Sequence, residues 1–351
     1  MYSVIIPVRD REGMLPTTLR PWISQPDCEV IVVDDASADN SAAVAEARGC
    51  VVIRLPEHQG PAGARNAGLR AAVGDRILFL DADIVVPSGF ADAMARGHDL
   101  ADDLVLLGLR RQQLAGQAAS GPPRRDSREL ISETYSFNLA RHPLPWAMCF
   151  SCVLSVPRSL LRRIELAEGT AFDPAFRQWG LEDLELGLRL HASGARWAFA
   201  LGADSDHQYH DRDMTEERFE GWRSNLARLI DRHPDAAGYA SLSDAFDPTK
   251  RADFIQMFRS YAGPPPHTPR ARVVRLRTDD DLAALSRYAA ADSPDTTFYA
   301  VASHPSVVMA ATCAALPAPE RIALYPASVW ERVGSAALTR HRHVLPEEPQ
   351  R

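Results

Sequence analysis

The feature that most constrains the fold is a short apolar stretch ending in two acids, Arg76 to Asp83. It reads Arg-Ile-Leu-Phe-Leu-Asp-Ala-Asp and begins shortly after Gly74. Such a run is typical of a buried strand, which here delivers Asp81 and Asp83 to its carboxyl end. Open α/β sheets bind ligands at that edge, and paired carboxylates suit a hard divalent cation. A lone Asp-x-Asp also suits a solvated turn, so the surrounding sequence has to decide.

Three more apolar stretches precede this one and alternate with helical patterns. The predicted strands are Tyr2 to Val8, Glu29 to Val33 and Val51 to Leu55. The order β-α-β-α-β-α-β predicts an α/β fold whose central sheet is mostly parallel and covered by helices on both faces. The carboxyl ends of these strands therefore meet at one crevice.

Acidic residues are concentrated at that crevice. They are Asp10, Asp34, Asp35, Asp81 and Asp83. Grouped carboxylates raise one another's pKa unless positive charge lies among them. A metal ion and Arg65 are the simplest sources of that charge. Taken singly, each acid also suits a helix cap or a loop, which is the favoured interpretation for Asp10.

Composition narrows the class of protein. The chain has 351 residues and a net charge of -7, with Lys250 as its only lysine. No basic face of the density that nucleic acid requires is present, and no apolar run is long enough for an integral membrane segment. The N-terminus enters a strand with no signal peptide, so we expect a cytoplasmic protein, and the Arg- and Ala-rich composition suggests a bacterial one. Cys149 and Cys152 lack the further ligands of a zinc site and are interpreted as buried thiols.

A second chemical centre follows Trp179, in the sequence Trp-Gly-Leu-Glu-Asp-Leu-Glu-Leu. The spacing of Leu181, Leu184 and Leu188 predicts a helix with Glu182 and Asp183 in its first turn. The helix dipole favours ionised carboxylates there, which leaves an acid able to accept a proton. Two acids placed only to complement that dipole fit the pattern equally well.

Two later regions have weaker patterns. Gln112 to Pro145 is irregular and is interpreted as a loop that closes over a ligand, with a simple insertion as the alternative. His207 and His210 follow a predicted edge strand from Arg196 to Ala200. A neutral imidazole at either position could complete a metal site begun by Asp83, although isolated histidines more often serve in packing.

Four motifs together resemble the family-2 glycosyltransferases of GT-A fold. They are Ser-Val-Ile-Ile-Pro-Val, Ile-Val-Val-Asp-Asp-Ala-Ser-Ala-Asp-Asn-Ser, Gly-Ala-Arg-Asn-Ala-Gly-Leu and Leu-Phe-Leu-Asp-Ala-Asp, in that order. Trp-Gly-Leu-Glu-Asp resembles the acceptor-side motif of the same family. This chain has Arg9-Asp10 where the family usually has an aromatic residue followed by Asn.

The resemblance implies a nucleotide-sugar donor, with a UDP-sugar favoured, and a Mn²⁺ or Mg²⁺ cofactor. Asp35 would bind the uracil, Arg65 would lie near the diphosphate, and Asp83 would bind the metal. The donor-site residues implied are Pro7, Arg9, Asp34, Asp35, Arg65, Asp81 and Asp83. His207 or His210, with His207 preferred, would complete the metal shell.

The resemblance also implies the reaction. Asp183 would be the general base and Glu182 would orient it, in an inverting transfer of a hexosyl or N-acetylhexosaminyl group to an acceptor. A retaining transfer, which relatives with the same fold carry out, remains an alternative. The residues expected near that acceptor are Trp146, Ser151 and Trp179. A sugar-nucleotide nucleotidyltransferase and a non-catalytic nucleotide-sugar-binding module remain as alternatives.

The resemblance extends over residues 1–235, the predicted catalytic domain. Residues 236–269 contain Pro-Pro-Pro and are interpreted as a connecting segment. Residues 270–351 predict a small β-α-β-α-β unit of unknown role. The acceptor, which could be a glycan, a natural product or a peptide, is not specified by the sequence, and a homodimer is left open.

Overall fold

The protein, described from a computed structural model, is defined over residues 1–23, 25–112, 124–210 and 214–345. Its strands are β1 (Tyr2–Val8), β2 (Cys28–Asp34), β3 (Val51–Arg54), β4 (Arg76–Leu80), β5 (Ile84–Val85), β6 (Leu104–Leu107), β7 (Arg110–Gln112), β8 (Val153–Pro157), β9 (Arg196–Phe199), β10 (Ser205–His207), β11 (Arg270–Leu276), β12 (Thr296–Ala302), β13 (Ile322–Pro326) and β14 (His343–Leu345).

The α-helices are α1 (Leu15–Leu19), α2 (Ser41–Glu46), α3 (Gly60–Ala71), α4 (Phe90–His98), α5 (Ser127–Ser132), α6 (Arg158–Glu168), α7 (Glu182–Ala192), α8 (Glu216–Arg232), α9 (Phe254–Ala262), α10 (Asp279–Ala291), α11 (Val307–Ala315) and α12 (Ala327–Leu338). Short 3-10 helices span Arg20–Trp22, Leu139–Arg141, Pro145–Met148, Pro234–Ala245 and Pro319–Arg321. None of the helices in these described ranges combines the length and apolarity needed to cross a bilayer.

A 7-stranded sheet in the order β3-β2-β1-β4-β8-β6-β9 forms the centre of the molecule. Strand β1 is parallel to both of its neighbours, β2 and β4, and its residues Val4, Ile5 and Ile6 are completely buried. Such continuous burial is typical of a parallel strand covered on both faces. The predicted mostly parallel α/β fold is therefore confirmed. The sequence did not show that β8 runs antiparallel to β4 and β6.

A glycine allows close contact between the central sheet and helix α3. A Cβ atom added to Gly68 would lie 2.4 Å from Cγ2 of Ile5, inside van der Waals contact. A residue with a side chain would therefore push α3 away from β1. The same helix carries Arg65, so this packing fixes the depth at which that side chain enters the sheet edge.

A 3-stranded sheet in the order β5-β10-β7 lies beside the end of β4. In it, His207 pairs with Ile84 across the antiparallel β5–β10 ladder. The backbone N–H of Gln208 also donates to the carbonyl of Asp83 at 2.9 Å. This small sheet therefore brings a distant stretch of sequence next to the Asp-x-Asp turn.

A 4-stranded sheet in the order β13-β12-β11-β14 forms the C-terminal unit, and all of its pairs are parallel. The predicted β-α-β-α-β pattern is present, extended by α12 and β14. The unit packs on the rest of the protein through α11, where the side chain of Val307 approaches Gly97 of α4. The amide of Asn138 donates to the carbonyls of Pro319 and Ile322 at 2.9 and 2.7 Å.

Two segments differ from the sequence prediction. Within the predicted loop from Gln112 to Pro145, residues 113–123 lie outside the described residues, and 124–145 are folded rather than irregular. They contain α5, whose buried Arg128 pairs with Asp126 at 2.7 Å, and the buried Tyr135. The predicted connecting segment 236–269 is likewise not an open linker, because much of it forms a 3-10 helix and α9. The Pro-Pro-Pro sequence favoured a linker, although α9 has the apolar-rich sequence Phe-Ile-Gln-Met-Phe-Arg-Ser-Tyr-Ala.

Candidate active site

A cavity of about 590 Å³ opens at the carboxyl edge of the central sheet. The strands that end there are β1, β2 and β4, as the sequence predicted. The sequence-predicted residues that line it are Pro7, Arg9, Asp35, Arg65, Asp81, Asp83, Ser151, Trp179, Glu182, Asp183 and His210. Asp34, Trp146 and His207 are the predicted site residues that lie behind the cavity surface.

Asp35 organises the start of α3. Its carboxylate accepts hydrogen bonds from the backbone N–H groups of Gln59 at 2.7 Å and Gly60 at 3.0 Å. The Nδ1 atom of His58 lies 2.7 Å from the same carboxylate. Gly60 has a φ of +77°, and an added Cβ would lie 2.6 Å from the carbonyl oxygen of Arg177, so glycine is required at this turn.

The neighbouring Asp34 has a different position. Its side chain is buried and accepts a hydrogen bond from the backbone N–H of Ser37 at 3.3 Å. That bond stabilises the turn after β2. Arg9, by contrast, is about half exposed in the cavity, with its Nε 3.8 Å from Asp10. Asp35 and Arg9 therefore face the ligand space, whereas Asp34 supports the loop beneath it.

Arg65 joins the two acidic motifs. Its guanidinium donates to Asp81 at 3.0 Å and to Glu182 at 2.8 Å, and its side chain is only 4% exposed. Burial acts to lower the pKa of Arg65, but the negative charges of Asp81, Glu182 and Asp183 outweigh it and raise that pKa. Arg65 is thus the positive charge that the crowded acids of the crevice require.

Asp83, His207 and His210 form a candidate metal site. One ligand atom from each residue lies within 4.8 Å of the others. Nε2 of His210 is 2.8 Å from one carboxylate oxygen of Asp83, and Nε2 of His207 is 3.4 Å from the other. The choice between the two histidines made from the sequence is unnecessary here, because the structure gathers both. One carboxylate and two imidazoles are a donor set that fits a divalent transition-metal ion.

Asp183 belongs to the second acidic motif, Glu182-Asp183, in the first turn of α7. One oxygen of its carboxylate accepts hydrogen bonds from the backbone N–H and the hydroxyl of Ser151, at 3.0 and 3.2 Å. The other accepts the N–H of Leu184 at 2.9 Å. The preceding Leu181 has a φ of +74°, a left-handed conformation that turns the chain sharply into the helix. The carboxylate is thereby held at the cavity surface.

The two acids at the start of α7 have raised pKa values. For Glu182 the causes are burial and then the charge of Asp183, partly offset by Arg65, and together they raise its pKa to about 7. Burial also raises the pKa of Asp183, against the hydrogen bond from the backbone of Ser151 and the charge of Arg65. Oε2 of Glu182 has no hydrogen-bond partner among the described residues, as expected for a carboxyl group whose uncharged form is favoured.

The predicted acceptor residues have unequal positions. Trp179 is 43% exposed, and the guanidinium of Arg218 lies 4.2 Å above its ring. Ser151 lines the cavity but uses its side chain to hold Asp183. Trp146 is buried with its ring 6.1 Å from that of Tyr239 and does not line the cavity. An acceptor contact by Trp146 stays a prediction that this arrangement does not favour.

Several cavity residues were not predicted from the sequence. They are Arg11, His58, Arg110, Arg218, Trp222, Tyr239, Phe246 and Phe254. His58 directly precedes the glycine-rich start of α3, which could have indicated it. Phe246 and Phe254 carry no such signal, because they lie in the stretch whose composition suggested a linker.

Comparison with known proteins agrees with this geometry. Residues 3–159 match the family described as Glycosyl transferase family 2. An uncharacterized glycosyltransferase, YfnE, from Bacillus subtilis (strain 168) is 25% identical over 283 residues, which are 66% of this chain and 70% of that protein. Validoxylamine A glucosyltransferase from Streptomyces hygroscopicus subsp. limoneus is 26% identical over 264 residues, 67% of this chain and 57% of that protein.

A solved structure shows the same fold. GalNAc-T7 in complex with UDP, GalNAc and Mn²⁺ matches with a TM-score of 0.50 at 16% identity, over 74% of this chain and 54% of that one. The fold and the motifs at the sheet edge thus define a glycosyltransferase of GT-A type. Residues 3–159, the region that matches Glycosyl transferase family 2, contain the Asp-x-Asp motif and Arg65.

Proposed function

We propose that the chain is a divalent-metal-dependent, inverting glycosyltransferase that moves a sugar from a nucleotide diphosphate sugar to an acceptor hydroxyl. The observation that carries this proposal is that one cavity is lined both by the metal-site residues Asp83 and His210 and by Asp183. A donor held at the metal site would have its sugar within the same space as the base.

Asp183 is the general base in this proposal. Its carboxylate accepts the proton of the acceptor hydroxyl while the acceptor oxygen bonds to the anomeric carbon and the diphosphate leaves from the opposite face. Displacement from the opposite face inverts the anomeric configuration. The N–H groups of Ser151 and Leu184 fix the carboxylate in place, and Arg65 limits how far burial raises its pKa.

In this proposal the nucleotide-sugar donor binds at the residues that end β1, β2 and β4. Pro7, Arg9, Asp35 and His58 line the part of the cavity in which we place the nucleotide base, with a UDP-sugar favoured. A divalent cation held by Asp83, His207 and His210 would offset the negative charge that develops on the leaving diphosphate. Two imidazole ligands favour Mn²⁺ over Mg²⁺, because Mg²⁺ prefers oxygen ligands and keeps its waters.

The class of sugar is also proposed. The Streptomyces relative is named a glucosyltransferase, which supports a hexosyl donor for this chain. The cytoplasmic location stays a prediction, and the homodimer stays open.

The test is a calorimetric titration of the protein with UDP, GDP and dTDP, each with Mn²⁺ and again with a chelator. We expect one nucleotide to bind with Mn²⁺ only, and Asp83→Ala to abolish that binding. Asp183→Asn should keep the binding but reduce sugar transfer by about 10²–10⁴-fold, the usual contribution of a general base.

A matched control is Asp231→Asn, an exposed acid on α8. It should change neither binding nor transfer. Failure of every nucleotide to bind under either condition would overturn the donor half of the proposal. Release of pyrophosphate from a nucleoside triphosphate and a sugar phosphate would instead indicate a nucleotidyltransferase.

A further inference from the structure

Four aromatic residues form one side of the cavity, and we call them the aromatic wall: Trp222, Tyr239, Phe246 and Phe254. Trp222 belongs to α8, and the other three come from the segment after it. The rings of Trp222 and Phe246 stack at 4.4 Å with an interplanar angle of 22°. The rings of Phe246 and Phe254 meet edge to face at 5.5 Å. Trp222, Phe246 and Phe254 therefore form a continuous packed surface, and Tyr239 lines the same cavity with its ring near those of Trp146 and Tyr261.

The aromatic wall adjoins the catalytic turn. A Cβ added to Gly180 would lie 3.1 Å from Cδ1 of Trp222, so the indole packs directly on the turn that precedes Glu182. The amide of Asn225, one turn further along α8, donates to the carbonyls of Gly180 and Gln178 at 2.7 and 3.0 Å. These contacts fix the position of the wall relative to Asp183.

Tyr239 gives the wall a polar group next to the base. Its side chain is 2% exposed and lines the cavity, yet its hydroxyl forms no hydrogen bond with the described residues. Burial raises the pKa of that hydroxyl, and the charge of Asp183, which lines the same cavity, raises it further. The hydroxyl oxygen is not among the buried polar atoms without a partner, so it is open to the cavity, where it can hydrogen-bond a ligand hydroxyl.

The charges around the aromatic wall favour a neutral ligand. None of its four side chains is ionised at neutral pH. Glu182 and Asp183 lie next to it, and the buried Arg65 is already bound to Asp81 and Glu182. An acceptor that carried a phosphate or carboxylate at the wall would meet these acids with little compensation. The cavity lining also includes Arg218, whose guanidinium lies over the ring of Trp179.

We propose that the aromatic wall is the acceptor subsite, and that it takes a neutral, ring-shaped polyol whose apolar C–H face lies on the rings. The hydroxyl of Tyr239 hydrogen-bonds one acceptor hydroxyl, while a neighbouring hydroxyl of the same ring faces Asp183 and reacts. This inference rests on the proposed function, because it uses the same cavity and the same base. It assigns a role to residues 236–262, which are not part of the matched family region.

The experiment uses the full chain, the nucleotide sugar identified by titration, and two sets of acceptor probes. Methyl and phenyl hexopyranosides are the neutral set, and hexose 6-phosphates are the anionic set, with products detected by mass spectrometry. We expect transfer to the neutral set and a preference for phenyl over methyl glycosides, because the phenyl group adds apolar area against the wall.

Variants separate the acceptor subsite from the donor site. Phe246→Leu and Phe254→Leu remove the flat ring face while keeping an apolar side chain, and each should raise the acceptor KM about tenfold. Tyr239→Phe removes only the hydroxyl and should raise it by about two- to tenfold. The affinity for the nucleotide with Mn²⁺ should stay unchanged in all three.

Matched controls lie outside the cavity. Phe298→Leu changes a buried phenylalanine of β12, and Tyr261→Phe removes the hydroxyl of a tyrosine whose ring is 6.1 Å from that of Tyr239. Neither should change the acceptor KM. The inference is overturned by a preference for the phosphates, by unchanged KM in the wall variants, or by no transfer to either set while nucleotide binding is intact. Loss of nucleotide binding in the unmutated protein would overturn the proposed function itself.

Discussion

Nη1 of Arg65 lies 2.8 Å from Oε1 of Glu182, and this buried ion pair connects the donor side of the cavity to the acceptor side. The same guanidinium lies 3.0 Å from Asp81, the first acid of the Asp-Ala-Asp motif. A single cation therefore balances acids from the end of β4 and the start of α7. The two chemical centres that the sequence shows 100 residues apart are electrostatically one site.

Replacing Arg65 with Gln should destabilise the fold in a pH-dependent way. At pH 8 the variant leaves Glu182 buried without its cation, and loss of one partner of a buried pair costs about 3–5 kcal/mol. At pH 5 Glu182 holds a proton, so the substitution should lower the free energy of unfolding by less than it does at pH 8. Urea unfolding at the two pH values measures the difference. Arg70→Gln, an exposed site on the same helix, should cost less than about 0.5 kcal/mol at either pH, and an equal loss at both pH values for Arg65→Gln would contradict the assignment.

Glu182 should also shape the pH dependence of stability in the unmutated protein. Its pKa rises from an ordinary 4.5 to about 7 on folding, so between these values the folded chain binds a proton that the unfolded chain releases. The free energy of unfolding contributed by Glu182 should therefore fall as the pH rises from about 4.5 to 7, by about 3 kcal/mol, and stay level above that.

The measurement compares unfolding free energies of the protein and of Glu182→Gln across this pH range. The difference between the two curves isolates Glu182 from acids with the opposite behaviour, such as Asp126, whose pKa is lowered by Arg128 despite its burial. The glutamine variant should show a flatter curve. Parallel curves would show that Glu182 titrates normally.

Local sequence patterns predicted the sheet and the acidic edge because both depend on short-range signals. Tyr2 to Val8 was predicted as a strand to the residue, since an apolar run between the terminus and a polar turn leaves little alternative. The order of such runs predicted the parallel sheet, and with it the convergence of Asp35, Asp81 and Asp83. The antiparallel insertion of β8 depends on how distant strands pair, and no local pattern encodes it.

The rest of the site depends on long-range packing. His207 and His210 reach Asp83 because β10 pairs with β5, a contact spanning more than 120 residues that spacing alone does not reveal. Phe246 and Phe254 line the cavity for a similar reason. Phe254 belongs to α9, which packs against α5, and Phe246 lies in the stretch before that helix. The hydroxyl of Tyr135 anchors this arrangement by donating to the carbonyl of Gly263.

Ser151→Ala should shift the pH dependence of turnover without abolishing it. The substitution removes the hydroxyl that donates to Asp183 at 3.2 Å but keeps the backbone N–H at 3.0 Å. Because a hydrogen bond to the ionised form lowers a carboxyl pKa, its loss should raise the pKa of Asp183. The acid limb of the kcat profile should then move to higher pH, with kcat on its plateau reduced less than tenfold.

The control for this shift is Ser132→Ala. Ser132 is also buried, but its hydroxyl donates to the carbonyl of Arg128, away from Asp183. The acid limb of the kcat profile of Ser132→Ala should coincide with that of the unmutated protein. A uniform drop in kcat at every pH for Ser151→Ala would indicate a purely structural role for the hydroxyl.

His210→Ala should weaken Mn²⁺ binding and metal-dependent nucleotide binding together. It removes one of the three clustered ligands, and the affinity for Mn²⁺ should fall by about tenfold or more. Electron paramagnetic resonance of free Mn²⁺ measures that affinity without any sugar donor. His304→Ala, an exposed histidine of the C-terminal unit, should leave it unchanged, and equal affinities for Mn²⁺ in the two variants would exclude His210 from the shell.

Asn138→Ala should loosen the attachment of the C-terminal unit. The amide of Asn138 donates to the carbonyls of Pro319 and Ile322, and its side chain is buried, so the variant leaves two buried acceptors without donors. That loss costs about 1–3 kcal/mol. Chemical denaturation should show it as a lower unfolding midpoint, while Gln256→Ala, at an exposed position of α9, should change the free energy by less than about 0.5 kcal/mol. Hydrogen exchange then locates the effect: if the unit is held through this residue, amides of β13 exchange faster in Asn138→Ala, whereas unchanged exchange there means that α11 alone carries the attachment.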